Sequence, residues 1–256
     1  MTAPGVRRLP PTFGGAGSAP GAVGQYGRSV VKRVVPVIVV ALAVAAGGAW
    51  LWRAHQQGEA CEIIRAGVER RPDEAVGTGP RKVVVMGDSY AQGFGLSDQT
   101  ESWPTAFAAE ADATVRVDGF AGSGFTGSAF CDGEEFGTRA KGLARGDDEV
   151  LVIQGGLNDV NADPGLIESA AVAVIETSDA EAVVGPPPAP NRDLALTAAT
   201  DEALARAADE SGIVYVSTLA WDDLGYLPDR LHLTPESHGV FGTRVADALL
   251  EAGVLR

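Results

Sequence analysis

The chain has 256 residues, 45% of them hydrophobic, enough for one α/β domain with a sizeable core plus additional segments. Its formal charge of −14 is uneven: residues 1–33 hold Arg7, Arg8, Arg28, Lys32 and Arg33 and no acid, so they carry +5 and leave −19 on the rest. So acidic a remainder repels a phosphate backbone, which excludes nucleic acid as its partner.

In chain order, residues 1–33 read as a disordered, basic cytoplasmic tail, with seven Gly and four Pro among the first 27 residues. Val34 to Trp52 is 19 residues without a charge, long enough for a helix that crosses a bilayer. Trp50 and Trp52 sit near its end as interfacial anchors do, and the basic residues before it predict a cytoplasmic N-terminus. The reading is a signal anchor with the rest of the chain outside the cytoplasm. The alternative is secretion after cleavage of a signal peptide at Ala43-Val44-Ala45. Residues 53–81 read as a stalk, with a short helix around Cys61 to Val68 and a Gly/Pro-containing linker from Arg70 to Pro80. Cys61 and Cys131 are too far apart for a CxxC motif. In an exported domain a disulfide between them is the economical reading, with two unrelated thiols as the alternative.

A domain is expected over 82–256. Lys82 to Met86 is a short, Val-rich apolar run, as in a buried strand of a parallel sheet, and it stops at Gly87-Asp88-Ser89. Trp103-Pro104 opens a helix to about Ala111, Thr114 to Val117 is a second strand, and a Gly-rich loop from Gly119 to Gly127 follows. A short helix is expected over 138–145. Glu149 to Gln154 is the next strand, closed by Gly155-Gly156-Leu157-Asn158-Asp159. Further helices are expected from Asp163 to Thr177 and from Asp193 to Glu210, with strands at Ala180 to Val184 and Ile213 to Ser217. Thr234-Pro235 caps and opens a terminal helix that ends near Gly253. Strands alternating with helices predict an α/β fold whose parallel sheet is covered on both faces.

Three polar motifs lie just past strand ends: Gly87-Asp88-Ser89, Gly156-Leu157-Asn158-Asp159 and Asp229-Arg230-Leu231-His232. A fourth candidate, Gly122, follows the second strand. A parallel sheet brings these ends to one edge, where ligands bind. Serine is a weak nucleophile until a base takes its proton; histidine does that, and a carboxylate holds the imidazole in the right tautomer. Asp229 and His232, three residues apart, can meet in a tight turn. The N–H groups of Ser89 and Gly122 and the Asn158 amide are donors for an oxyanion. Asp88 reads as a brace for its turn, and His238, in the first turns of the last helix, as structural or solvated.

These blocks, in this order, resemble the SGNH (GDSL-type) hydrolases over about residues 82–253. The resemblance implies a flavodoxin-like, three-layer α/β/α sandwich that hydrolyses esters or carbohydrate esters. It assigns Ser89 as nucleophile, His232 as base, Asp229 as its orienter, and Ser89, Gly122 and Asn158 as the oxyanion hole. Gly119 and Gly124 compete with Gly122 for that place.

Gly122 to Gly127 also fits the dinucleotide fingerprint GxGxxG, but Cys131-Asp-Gly-Glu-Glu follows where a helix should open. GxSxG is absent, as are a Walker A motif, a zinc-ligand cluster and an EF-hand loop, so no cofactor, metal or nucleotide is expected. The expected partners are the membrane, through residues 34–52, and an ester substrate, an acylated polysaccharide or a lipid. Transfer of the acyl group shares the same acyl-enzyme. A non-catalytic, anchored module binding a glycan or a partner in the same cleft is the rival reading.

Overall fold

The computed structural model describes residues 23–70 and 75–255; for 23–41, 43, 44 and 70 it describes the helical backbone alone. The chain divides into two compact units, 1–53 and 54–256.

Helix α1 runs from Val23 to Arg70 without a break. It therefore begins inside the stretch expected to be an irregular tail, and it absorbs the short helix expected at Cys61 to Val68. Once a helix is nucleated each added residue gains a hydrogen bond, so the apolar run carries the helix outward in both directions. Residues 1–22 of the expected tail lie outside the described residues. Among the described residues no helix is long and apolar enough to cross a membrane. The expected span, Val34 to Trp52, falls within α1, but the side chains of 34–41, 43 and 44 lie outside the described ones.

The second unit begins at Ala54, well before the expected start of the domain at residue 82. Its five strands, β1 (Arg81–Gly87), β2 (Ala113–Gly119), β3 (Glu149–Gln154), β4 (Ala182–Val184) and β5 (Val214–Val216), form one sheet in the order β2-β1-β3-β4-β5. Every neighbouring pair is parallel. This is the flavodoxin-like order, and its switch point lies between β1 and β3.

Strand side chains alternate between the two faces, so a strand buried on both faces is apolar throughout. Val83 and Val85 of β1 join one core with Trp103 and Phe107 of α3 (Trp103–Glu110), where α2 is the single turn Ser89–Gln92. Phe241, Val245 and Leu249, from the terminal helix Pro235–Glu251, complete that core. Val84 and Met86 join the opposite core, with Leu151 and Ile153 of β3. Its helices are α4 (Phe136–Gly142), α5 (Pro164–Ser178) and α6 (Leu194–Glu210), which makes the terminal helix α7. The result is three layers, helices on each side of the sheet.

The helix starts follow their caps. Asp163 accepts from the N–H groups of Gly165 and Leu166, Asp193 from Ala195 and Leu196, and Thr234 from Ser237. Helix α4 begins two residues earlier than expected, because Phe136 is fully buried in the second core.

The Ala54–Arg70 part of α1 is seated on the domain by a small cluster of Ile64, Phe120, Ala121 and Cys131, with Cys61 and Phe94 at its border. A disulfide joins Cys61 to Cys131. Gln92, wholly buried, donates from Nε2 to the Ile64 carbonyl at 3.2 Å and accepts the Ala121 N–H on Oε1 at 2.7 Å.

Candidate active site

The chain turns sharply after β1 because Gly87 has no side chain: a Cβ there would lie 2.5 Å from the Ala91 methyl. Asp88 caps the single turn α2, its Oδ1 accepting the Tyr90 N–H at 2.9 Å. Ser89 opens that turn and lines a cleft. Burial pushes the Asp88 carboxyl up to about 6, against the hydrogen bond from Tyr90. Its Oδ2 is buried without a partner of ordinary hydrogen-bond length, as are both amide atoms of Gln154.

The Asp229 turn is closed by its own carboxylate. Oδ1 accepts the N–H groups of Leu231 at 2.9 Å and His232 at 3.0 Å, and Oδ2 meets His232 Nδ1 at 2.6 Å. Burial alone would raise the Asp229 carboxyl; the hydrogen bonds from His232 and from the turn outweigh it and hold it below the usual carboxylate value. Arg230, between them, takes a left-handed conformation with φ 60°.

Three outside groups fix this turn. Asn191 Nδ2 donates to the Asp229 carbonyl at 3.0 Å, and the Asn191 N–H to the Arg230 carbonyl at 2.9 Å. The Tyr90 hydroxyl donates to the Leu231 carbonyl at 2.6 Å. The Phe94 ring lies 5.3 Å, centroid to centroid, from the His232 ring.

Ser89, Gly122, Asn158 and His232 line one cleft of about 260 Å³. Asp229 meets His232 from behind. The Asn158 amide donates one hydrogen bond, to the Ser123 carbonyl at 2.8 Å, leaving its second N–H for a ligand. Of the three glycines that compete for the oxyanion hole, Gly122 is the one on the cleft. Gly119 packs on the backbone of Gln92, where a Cβ would come within 2.4 Å, and Gly124 sits against the Asp159 carboxylate. Gly122 has φ 86°, which an L side chain rarely adopts.

Asp159 turns away from the cleft and pins the loop: Oδ2 accepts the Phe125 N–H at 3.0 Å and Oδ1 the Thr126 N–H at 2.8 Å. His238 is structural. Its Nδ1 accepts the Trp103 N–H at the start of α3, and its ring meets Tyr90 edge-on at 5.8 Å. Burial pushes its pKa down to about 3, so it is neutral at physiological pH.

Residues 85–240, more than half of the chain, match the model of the GDSL-like Lipase/Acylhydrolase family. The chain belongs to that family. It is a serine ester hydrolase, an acylhydrolase of the GDSL type. Solved structures share the fold of this GDSL-type enzyme. A carbohydrate acetylesterase from Sinorhizobium meliloti, Est24, aligns with a TM-score of 0.52 and 16% identity over 67% of this chain and 99% of its own. A family two carbohydrate esterase from Clostridium thermocellum, in complex with cellohexaose, aligns at 0.56 and 19% over 69% of this chain and 66% of its own. This chain thus spans about two thirds of that longer enzyme. A member of the lipolytic G-D-S-L family from Veillonella parvula aligns at 0.51 and 15% over 66% of this chain and 96% of its own. Identities this low show the fold alone. No curated protein matches in sequence.

Several residues at the site were not singled out from the sequence: Tyr90, Gln92 and Asn191 as braces, Arg192 on the cleft, and Ala60, Ile63 and Ile64 of α1 on its wall. Each acts across a long sequence separation and carries no motif. Tyr90 alone had a signal, its place next to the serine.

Proposed function

We propose that this GDSL-type acylhydrolase works outside the cytoplasm through Ser89, His232 and Asp229 on acyl esters of envelope carbohydrates or lipids. The observation that carries the reading is the sharing of one cleft by Ser89 and His232, with the imidazole Nδ1 held by Asp229 at 2.6 Å.

Ser89 Oγ attacks the ester carbonyl carbon while His232 Nε2 takes the hydroxyl proton. Negative charge gathers on the carbonyl oxygen, where the N–H groups of Ser89 and Gly122 and the Asn158 amide donate to it. Among the described residues neither of those N–H groups is used in another backbone hydrogen bond. The carbon–oxygen bond to the alcohol then breaks, and His232 protonates the leaving oxygen. Water, its proton taken by His232, attacks the acyl-enzyme and releases the acid. An acceptor alcohol in place of water makes the same chemistry an acyl transfer.

Two features support the location: the uncharged run Val34 to Trp52 behind a basic segment, read as a signal anchor, and the Cys61–Cys131 disulfide, a bond that persists in oxidising compartments. Polysaccharide esters are suggested by the carbohydrate esterases among the structural neighbours.

The test compares wild type with Ser89→Ala for hydrolysis of a short-chain aryl ester and for labelling by a serine-reactive phosphonate. Turnover and labelling lost together in the mutant support the reading; a folded wild-type protein that is neither labelled nor active overturns it. Protease accessibility of the Ala54–Arg256 unit on intact cells tests the location.

A further inference from the structure

The family match begins at residue 85, yet three residues of the cleft wall, Ala60, Ile63 and Ile64, come from α1, ahead of that match. Phe94, Phe130 and Leu231 add further large apolar side chains to the lining. The lining is apolar apart from Ser89, Asn158, Arg192 and His232. Two of its large apolar side chains are well exposed, Ile63 by 60% and Phe130 by 48%. An apolar wall beside a nucleophile, left open to water, takes an apolar ligand rather than a sugar hydroxyl. An acetyl group presents only one methyl and leaves most of this space empty.

The wall is held in place. Cys61, next to Ala60, is bonded to Cys131, next to Phe130. The Ile64 carbonyl accepts from Gln92, whose other amide atom holds the Ala121 N–H beside Gly122. Phe130 lies over Gly122, where a Cβ would come within 2.9 Å of its ring. The same two fastenings thus set the α1 wall against the serine and against the loop of Gly122.

From these observations we infer that Ala60, Ile63 and Ile64 form the acyl-binding wall of the cleft and make it selective for esters of medium-length acyl chains. The inference rests on the serine-esterase reading above. The cleft volume is about 260 Å³. That is room for an acyl chain several carbons longer than acetyl. Each methylene buried on the wall raises kcat/KM about fourfold until the space is filled.

The test uses the full-length chain and measures kcat/KM on aryl acetate, butyrate and hexanoate, with phosphonate labelling in parallel. In the wild type, hexanoate exceeds acetate by about 10²-fold, from four added methylenes at about fourfold each. Ala60→Phe, which fills the wall, lowers the hexanoate-to-acetate ratio by about tenfold. Ile63→Ser, at an exposed position where little buried packing is lost, lowers it by about threefold or more. Circular dichroism confirms that both variants fold. A labelled wild type that prefers acetate, or a ratio unchanged in a folded Ile63→Ser, overturns the acyl wall and leaves the serine hydrolase standing. A folded wild type with neither labelling nor turnover overturns both.

Discussion

Asp229 holds His232 at two points: Oδ1 accepts the histidine's backbone N–H at 3.0 Å, and Oδ2 meets its ring Nδ1 at 2.6 Å. One carboxylate therefore shapes the turn and sets the imidazole tautomer, leaving Nε2 as the basic nitrogen. Asp229→Ala loses both effects, and kcat should fall by about 10³- to 10⁴-fold with KM little changed. Steady-state kinetics on an aryl ester checks this; a loss confined to KM contradicts it.

The Asn158 amide has one N–H on the Ser123 carbonyl and one to offer. Asn158→Ala should lower kcat by about 10²- to 10³-fold, the usual cost of one oxyanion donor. Unchanged kcat removes Asn158 from the oxyanion hole.

Asn191 fixes the Asp229–His232 turn without lining the cleft. Asn191→Ala removes the side-chain bond to the Asp229 carbonyl, worth about 1 kcal/mol. Both kcat and the rate of phosphonate labelling should drop together by about fivefold. Equal labelling rates in wild type and mutant would show that the bond serves stability alone.

Two buried groups give stability opposite slopes with pH. The Asp88 pKa is raised by burial to about 6, so the folded state binds more protons than the unfolded one between about 4 and 6. Stability therefore falls as pH rises through that window, by on the order of 3 kcal/mol in all. Asp88→Asn should melt higher than wild type at pH 8, with the gap closing near pH 4. His238 runs the other way. Its pKa is pushed by burial to about 3, so below the ordinary imidazole pKa the unfolded state takes a proton the folded state refuses. Stability is lost as pH falls from about 6.5 toward 3, and thermal melts of His238→Gln should lack that acid limb.

The disulfide closes a loop of 70 residues between Cys61 and Cys131. Replacing both cysteines with serine should cost about 2–4 kcal/mol, chiefly by freeing the unfolded chain. Denaturant unfolding of the double mutant measures it; an unchanged midpoint would mean that α1 holds to the domain without the bond.

Much of this protein is legible in its sequence because it is written locally. Val-rich runs mark strands buried on both faces, Asp163, Asp193 and Thr234 mark helix starts, and GDS, GLND and DRLH each stand at a strand end or in a tight turn. Asp229 and His232 meet through a turn of four residues, so their spacing was enough to pair them. Tertiary structure decided the rest. Gln92 meets Ile64 across 28 residues, Tyr90 meets Leu231 across 141, and Asn191 meets Asp229 across 38. No periodicity or motif spans such separations; they arise only when the sheet order brings distant loops to one edge. The same is true of α1. Its sequence marks an uncharged run and, apart from it, a short helix at Cys61 to Val68, while the single helix Val23–Arg70, the burial of Ile64 and the wall it offers to the cleft depend on a surface built by Phe120, Ala121 and Cys131 much later in the chain.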